Sequence, residues 1–379
     1  MAPLISTLSG SLGVPASRFG FFITLQFVAF ALASFVGGGI KARLRLSNSP
    51  LVSAGLLIIS AAFFVGAVSL RSTAALIVWV IPLGLAGGAV ETFSSIQISR
   101  LSRAGSSKNL CLSQVFYSIG AFAAPQVVYV IFGAGLDWKS AFVIFGLFTT
   151  AVCAIFLVYN LRRGNLAKRE AVPAPSLPAV RSRGSIFSLL MFLMLATVIL
   201  ESLSAAWLSY IFELRYALTA RDASLVLVLF WAGMMVGRVS IVLLPTRWTL
   251  WPTLVASAAA IVVAAASLAT VHSLRAQYVS VALLGVFLGP MWPVIVMTSS
   301  STFQSEKLTS VIIGIGAVGF ASGPLLGSVI LRQRWAAHFF LMHLGLGVLM
   351  VVFCLTAWRL HASAMTTIMQ GVKGGGNEI

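Results

Sequence analysis

Apolar runs as long as a bilayer-spanning helix follow one another along this chain, and that repetition constrains the fold more than any other feature. A helix crossing the hydrocarbon core needs ~20 mostly apolar residues. Such runs are read at 17–40, 50–70, 73–97, 110–134, 139–161, 185–212, 222–244, 249–271, 276–301, 307–331 and 336–360. Only short polar gaps separate most of them. Charged residues make up 9% of the sequence, against ~25% in a soluble domain. Charge this sparse cannot cover a globule, so lipid must be the solvent for most of the surface. The expectation is an all-α integral membrane protein with about 11 transmembrane helices.

The net charge of +17 would point to nucleic acid in a soluble chain. Here the basic residues fall in the gaps between apolar runs, so no nucleic-acid partner is expected. Counted gap by gap, one alternate set holds Lys41, Arg43, Arg45, Arg100, Arg103, Lys108, Arg162, Arg163, Lys168, Arg169, Arg181, Arg183, Arg238, Arg247, Lys307, Arg359 and Lys373. The other set holds about half as many. The richer side reads as cytoplasmic by the positive-inside rule, which puts the C-terminus inside a plasma (inner) membrane. The longest gap, at 162–184, is Pro-, Ala- and Arg-rich and reads as a cytoplasmic linker. It divides an N-terminal bundle (1–161) from a C-terminal bundle (185–361), with a cytoplasmic tail at 362–379. Eleven runs and a cytoplasmic C-terminus place residue 1 outside. The expectation is therefore two six-helix bundles with the first helix missing from the front, the alternative being a native eleven-helix protein.

Internal symmetry supports that plan. LGLAGGAVE (83–91) and LGVFLGPMW (284–292) align Gly84 with Gly285 and Gly88 with Gly289. In the next helices GAFAAP ends at Pro125 and GFASGP at Pro324. Both matches are separated by about 200 residues, as expected of parallel halves.

Two of the eight acidic residues, Glu91 and Glu201, lie inside apolar runs. A charged side chain at mid-membrane costs ~2.5–3.5 kcal/mol on insertion scales. It must face a cavity, pair with a base or be protonated, and these two are the proton-coupling candidates. The alternative is an interhelical hydrogen bond that only holds the bundle together. Ser95 shares a helix face with Glu91, and Ser204 with Glu201; Trp207 lies to the side of Glu201. Gln114, Tyr117 and Ser118 sit at i, i+3 and i+4, so one helix face offers donors, acceptors and a ring. That suits a hydroxylated solute and equally suits helix–helix hydrogen bonding. Trp292, between Pro290 and Pro293, stands where a broken helix could present a ring to a cavity. Cys111, Cys153 and Cys354 have no paired spacing, and His272, His338, His343 and His361 have no ligand spacing. No metal or cofactor is expected. The absence of a P-loop, a nucleophile elbow and HExxH removes support for an ATPase or an enzyme.

The stretch GLAGGAVETFSSIQISRL with LSQVFYSIGAFAAP resembles the fucose permease and glucose/galactose transporter branch of the major facilitator superfamily. LESLSAAWLSYIFE with FWAGMMVGR looks like that branch's seventh and eighth helices, and GPMWPV like its tenth. The resemblance implies the major facilitator fold, Glu91 as a proton-coupling or sugar-binding carboxyl, and Glu201 as a cavity residue. The chain departs from the pattern at Ser113 and Phe116, where the branch has Asn and His. It departs again near Ser95, where an Asn is usual, and in GGGIKARLRLS, which lacks the superfamily's Asp. These departures weaken the case for a hexose.

The resulting expectation is a monomeric carrier of a small organic solute, of the sugar kind, coupled to protons and working by alternating access. Two alternatives stand beside it: an efflux carrier of drugs or metabolites, and a non-transporting membrane sensor.

Overall fold

A computed structural model of the chain describes residues 8, 11–13, 19–44, 46–101, 108–163, 183–218, 220–243, 250–332 and 338–374. Twelve long helices occur there: α1 (Phe19–Leu44), α2 (Asn48–Ser69), α3 (Thr73–Leu101), α4 (Lys108–Gly133), α5 (Trp138–Arg163), α6 (Arg183–Tyr216), α7 (Ala220–Leu243), α8 (Leu250–Thr270), α9 (Leu274–Leu288), α10 (Met291–Phe303), α11 (Glu306–Arg332) and α12 (Phe339–Gly374). No strand occurs among the described residues. Hydrocarbon offers the backbone no hydrogen-bond partners, so a spanning segment must satisfy its own amides, and a helix does this. Among the described residues ten spans, with α9 and α10 counted as one, are long and apolar enough to cross a membrane. α4 is as long as its neighbours and carries Asn109, Ser113, Gln114, Tyr117 and Ser118. The interior of the 162–184 linker lies outside the described residues. α12 continues as helix past residue 361, into the stretch read from the sequence as a tail.

Prolines shape two of these elements. The apolar run at 276–301 is two helices, because Pro290 and Pro293 lack the N–H that would bond the carbonyls of Val286 and Gly289 four residues back. Pro324 lies inside α11 and leaves the carbonyl of Phe320 without its intrahelical donor in the same way. The C-terminus of α8 leaves carbonyls open, and side chains close them. Arg215 Nη1 donates to Leu268 O at 2.8 Å, and Gln277 Nε2 donates to Ser267 O and Val271 O at 3.1 and 2.7 Å. Arg215 also brings positive charge to the negative end of that helix.

The helices gather into two compact units. The first holds α1, α2, α3, α5, the later part of α4 and residues 309–321 of α11. Its apolar cluster includes Phe22, Leu70, Leu76, Ile131 and Trp138, with Trp79 and Phe142 stacked at 5.2 Å. The second holds the start of α4 as far as Val115, then α6 to α10 and the rest of α11 and α12. Each sequence half therefore lends one stretch of helix to the other half's unit.

The internal repeat is visible as matching backbone contacts. In the first unit Gly84 and Gly88 of α3 lie against the carbonyls of Gln26 and Phe30 of α1. In the second, Gly285 and Gly289 of the α9 segment lie against the carbonyls of Phe230 and Met234 of α7. α7 returns the contact, with Gly233 against Ala282 O and Gly237 against Val286 O. A Cβ at any of these glycines would meet backbone, so only glycine lets the helices approach this closely. Acceptors and glycines alike are separated by about 200 residues between the units.

Candidate functional site

Glu91 lies on α3 inside the span Thr73–Ile98 and is partly buried. The close crossing made by Gly84 and Gly88 brings α1 against the turns just before it. Ser95, one turn further on and buried, donates its hydroxyl to Glu91 Oε1 at 3.4 Å. On the adjoining stripe Thr92 donates to Ser34 Oγ of α1 at 2.9 Å, and Ser34 donates to Phe30 O at 3.1 Å. The result is a short polar seam between α1 and α3, with a carboxyl at its edge that is not fully enclosed.

Glu201 stands in a different setting. It is 2% exposed in the middle of α6, and Arg238 of α7, 1% exposed, brings Nη2 to 3.9 Å from its Oε1. That separation is an ion-pair contact rather than a hydrogen bond. Arg238 Nε donates to Gly289 O at 3.1 Å, the carbonyl that Pro293 leaves open. Its Nη1 donates to Gln114 O of α4 at 3.2 Å. One buried guanidinium thus ties α4, α6 and the α9–α10 break to α7. A planar, forked cation can serve several directions at once where an ammonium could not. Two buried charges at contact distance offset a desolvation cost that either would carry alone.

The other expected residues are distributed as follows. Gln114 and Ser118 are buried and Tyr117 is exposed. Ser204 is fully buried and hydrogen-bonds His343 Nε2 at 3.0 Å, while His343 Nδ1 faces Phe339 O at 3.0 Å. That geometry is helix-to-helix bonding between α6 and α12. Trp207 donates Nε1 to Pro324 O at 3.0 Å and lies against Gly327 of α11. Trp292 is buried in α10 along with the residues on either side. Among the described residues no three His, Cys, Asp or Glu side chains gather as a metal site.

Sequence reading missed Arg238 by assigning it to a cytoplasmic gap; α7 runs through it to Leu243. A signal was present, because the apolar stretch VSIVLL follows the arginine and so places it inside the span. His343 was likewise read only as lacking ligand spacing, and its bond to Ser204 depends on two helices far apart in sequence.

The family model of the Major Facilitator Superfamily matches residues 1–317. The chain belongs to the major facilitator superfamily. The solved structures agree at the level of fold. The human organic anion transporter MFSD10 (TETRAN) superposes with a TM-score of 0.71 at 17% identity, over 92% of this chain and 88% of that one. The E. coli fucose:proton symporter FucP gives 0.66 at 17% identity, over 94% and 95%. The proton:xylose symporter XylE, bound to 6-bromo-6-deoxy-D-glucose, gives 0.71 at 13% identity, over 94% and 90%. No curated protein matches the sequence. For a superfamily fold, the helix crossings made by Gly84, Gly88, Gly285 and Gly289 are the element that its two repeated halves share here.

Proposed function

We propose that the chain is a secondary active transporter of a small, hydroxylated organic solute of the sugar class, coupled to protons and working by alternating access. The observation that carries this reading is Glu91, a carboxyl within a membrane span that is only partly buried, beside the Ser95 hydroxyl. Ionisable residues inside membrane spans mark substrate and proton pathways, and this carboxyl is the candidate to exchange a proton as access alternates. Glu201 is almost fully buried whereas Glu91 is only partly buried, so the coupling role is assigned to Glu91 and an architectural role to Glu201. Gln114, Tyr117 and Ser118 on α4 supply candidate groups for a hydroxylated solute, with Ser95, Ser204, Trp207 and Trp292 as further candidates. Two solved structures of like fold are described as proton symporters of fucose and of xylose, which supports the class. The chain is proposed to act as a monomer in the plasma (inner) membrane.

The test is uptake into proteoliposomes under an imposed pH gradient, screened with a panel of sugars and polyols. The expected result is gradient-driven accumulation of at least one of them, and Glu91→Gln abolishing the response to the gradient. Unchanged gradient dependence in the variant removes Glu91 from the coupling role. The likeness to a human organic anion transporter favours a second reading, a carrier of larger amphipathic solutes. Uptake of organic anions and of no sugar would select it. Binding of a sugar with no flux under any gradient would select a non-transporting sensor instead.

A further inference from the structure

α4 belongs to both compact units. Its residues up to Val115 gather with the second, and those from Phe116 onward with the first. A buried face holds the first turns in place. Leu110 and Cys111 are fully buried, Gln114 and Val115 nearly so, while Leu112 and Phe116 are exposed. These four buried positions recur at helical spacing and form one stripe. Within that stripe Arg238 Nη1 of α7 donates to Gln114 O at 3.2 Å, one residue short of where α4 changes unit.

The other two partners of Arg238 are of a different kind. Glu201 on α6 and Gly289 O at the α9–α10 break share the second unit with α7, and both come from the C-terminal half of the sequence. Gln114 alone of the three comes from the N-terminal half. Opening the Gln114 bond therefore leaves the guanidinium with a carboxylate at 3.9 Å and a carbonyl at 3.1 Å, and no buried charge is stranded. Nor is the acceptor stranded, because a carbonyl inside a helix keeps the amide four residues on. Opening costs one hydrogen bond to a charged group and nothing else in the network.

We propose that Arg238 is a latch on α4, whose bond to Gln114 O breaks and re-forms in each transport cycle while Glu201 and Gly289 O keep the guanidinium in place. This rests on the alternating-access reading: α4 cannot move with the rest of its own half while its first turns stay bound to the second unit. Arg238 is then a positioning residue that governs access, and Glu201 is the group that holds its charge when the latch is open.

Cys111 is a native reporter, fully buried one turn before Gln114 on the same stripe. The full chain carrying Cys153→Ala and Cys354→Ala, in lipid nanodiscs, is labelled with a charged maleimide that does not enter hydrocarbon. Arg238→Met with Glu201→Leu removes the latch without leaving a buried charge, and Cys111 should then label about tenfold faster, the effect of losing one hydrogen bond to a charged group. Arg238→Gln with Glu201→Gln gives an independent reading should the first pair fold poorly. Cys354, fully buried on α12 in the same unit, is the control in a chain carrying Cys111→Ala and Cys153→Ala, and its labelling should not change with either pair. Unchanged Cys111 labelling in whichever pair folds, or an equal rise at Cys354, overturns the latch. Labelling needs no flux, so the two readings fail separately. Faster Cys111 labelling in a chain that accumulates no solute supports the latch and counts against transport, whereas gradient-driven uptake with unchanged labelling overturns the latch alone.

Discussion

Arg238 concentrates more structural consequence than any other single side chain described. Replacing it with Ala would leave Glu201 as an isolated buried charge and would strip donors from Gly289 O and Gln114 O. Breaking a buried pair from one side costs about 3–5 kcal/mol. Arg238→Ala is therefore expected to lower thermal stability in detergent sharply, and Arg238→Lys to recover little of it. The double variant Arg238→Met with Glu201→Leu should recover most, which a thermal-shift series can measure. Asp137 is the counterpart at the surface. It precedes α5 and its Oδ1 accepts from the Ser140 N–H and Ser140 Oγ, both at 3.0 Å. The Ser140 N–H bond, aided by the Ser140 hydroxyl and the nearby Lys139 charge, holds its carboxyl below the ordinary aspartate range against a smaller opposing effect of burial. Its folded value is depressed, so its contribution is present above about pH 4 and is lost as pH falls through the folded value. Asp137→Ala should cost about 1 kcal/mol at pH 7. Unfolding curves taken from pH 7 down to 3 should show the difference between variant and unsubstituted chain closing at the acid end.

At the scale of elements, the α7–α9 crossing is set by glycines that face one another. Gly237→Ala would drive a methyl into Val286 O, and Gly285→Ala into Phe230 O. Overpacking of this kind costs about 1–3 kcal/mol. Both variants should show a lower melting temperature and a lower folded yield on size-exclusion chromatography. Gly345→Ala in α12 is the control, since a Cβ there meets nothing within 4 Å, and its melting temperature should hold or rise. Equal damage from all three would show that the crossing contacts are not what matters. The helix register that makes this argument was visible in the sequence as GLAGG and GVFLG. The partner carbonyls were not, because which helix lies against which is not encoded within either segment.

At the scale of the molecule, the asymmetry of basic residues between gaps predicts a cytoplasmic C-terminus. A green fluorescent protein fused after Ile379 should fluoresce, and alkaline phosphatase fused at the same point should be inactive. The reverse pair of results would invert the topology. The spans, the two-part plan with its repeat and the superfamily could all be read from hydropathy and motif. The same reading placed Glu91 and Glu201 in apolar runs and made both of them proton-coupling candidates.

What separated those two carboxyls was tertiary. Glu201 meets a guanidinium from another helix, 37 residues later in the chain, while Glu91 meets a hydroxyl of its own helix four residues on. Periodicity determines the local state of each segment, because in hydrocarbon a helix must satisfy its own backbone. It is silent on which side chains converge, since a contact between helices depends on the rotation and crossing of both. The sequence by itself determined a bundle of spanning helices built on two related halves. Only the packed structure decided that Arg238 meets Glu201, Gly289 O and Gln114 O, and that Ser204 bonds His343.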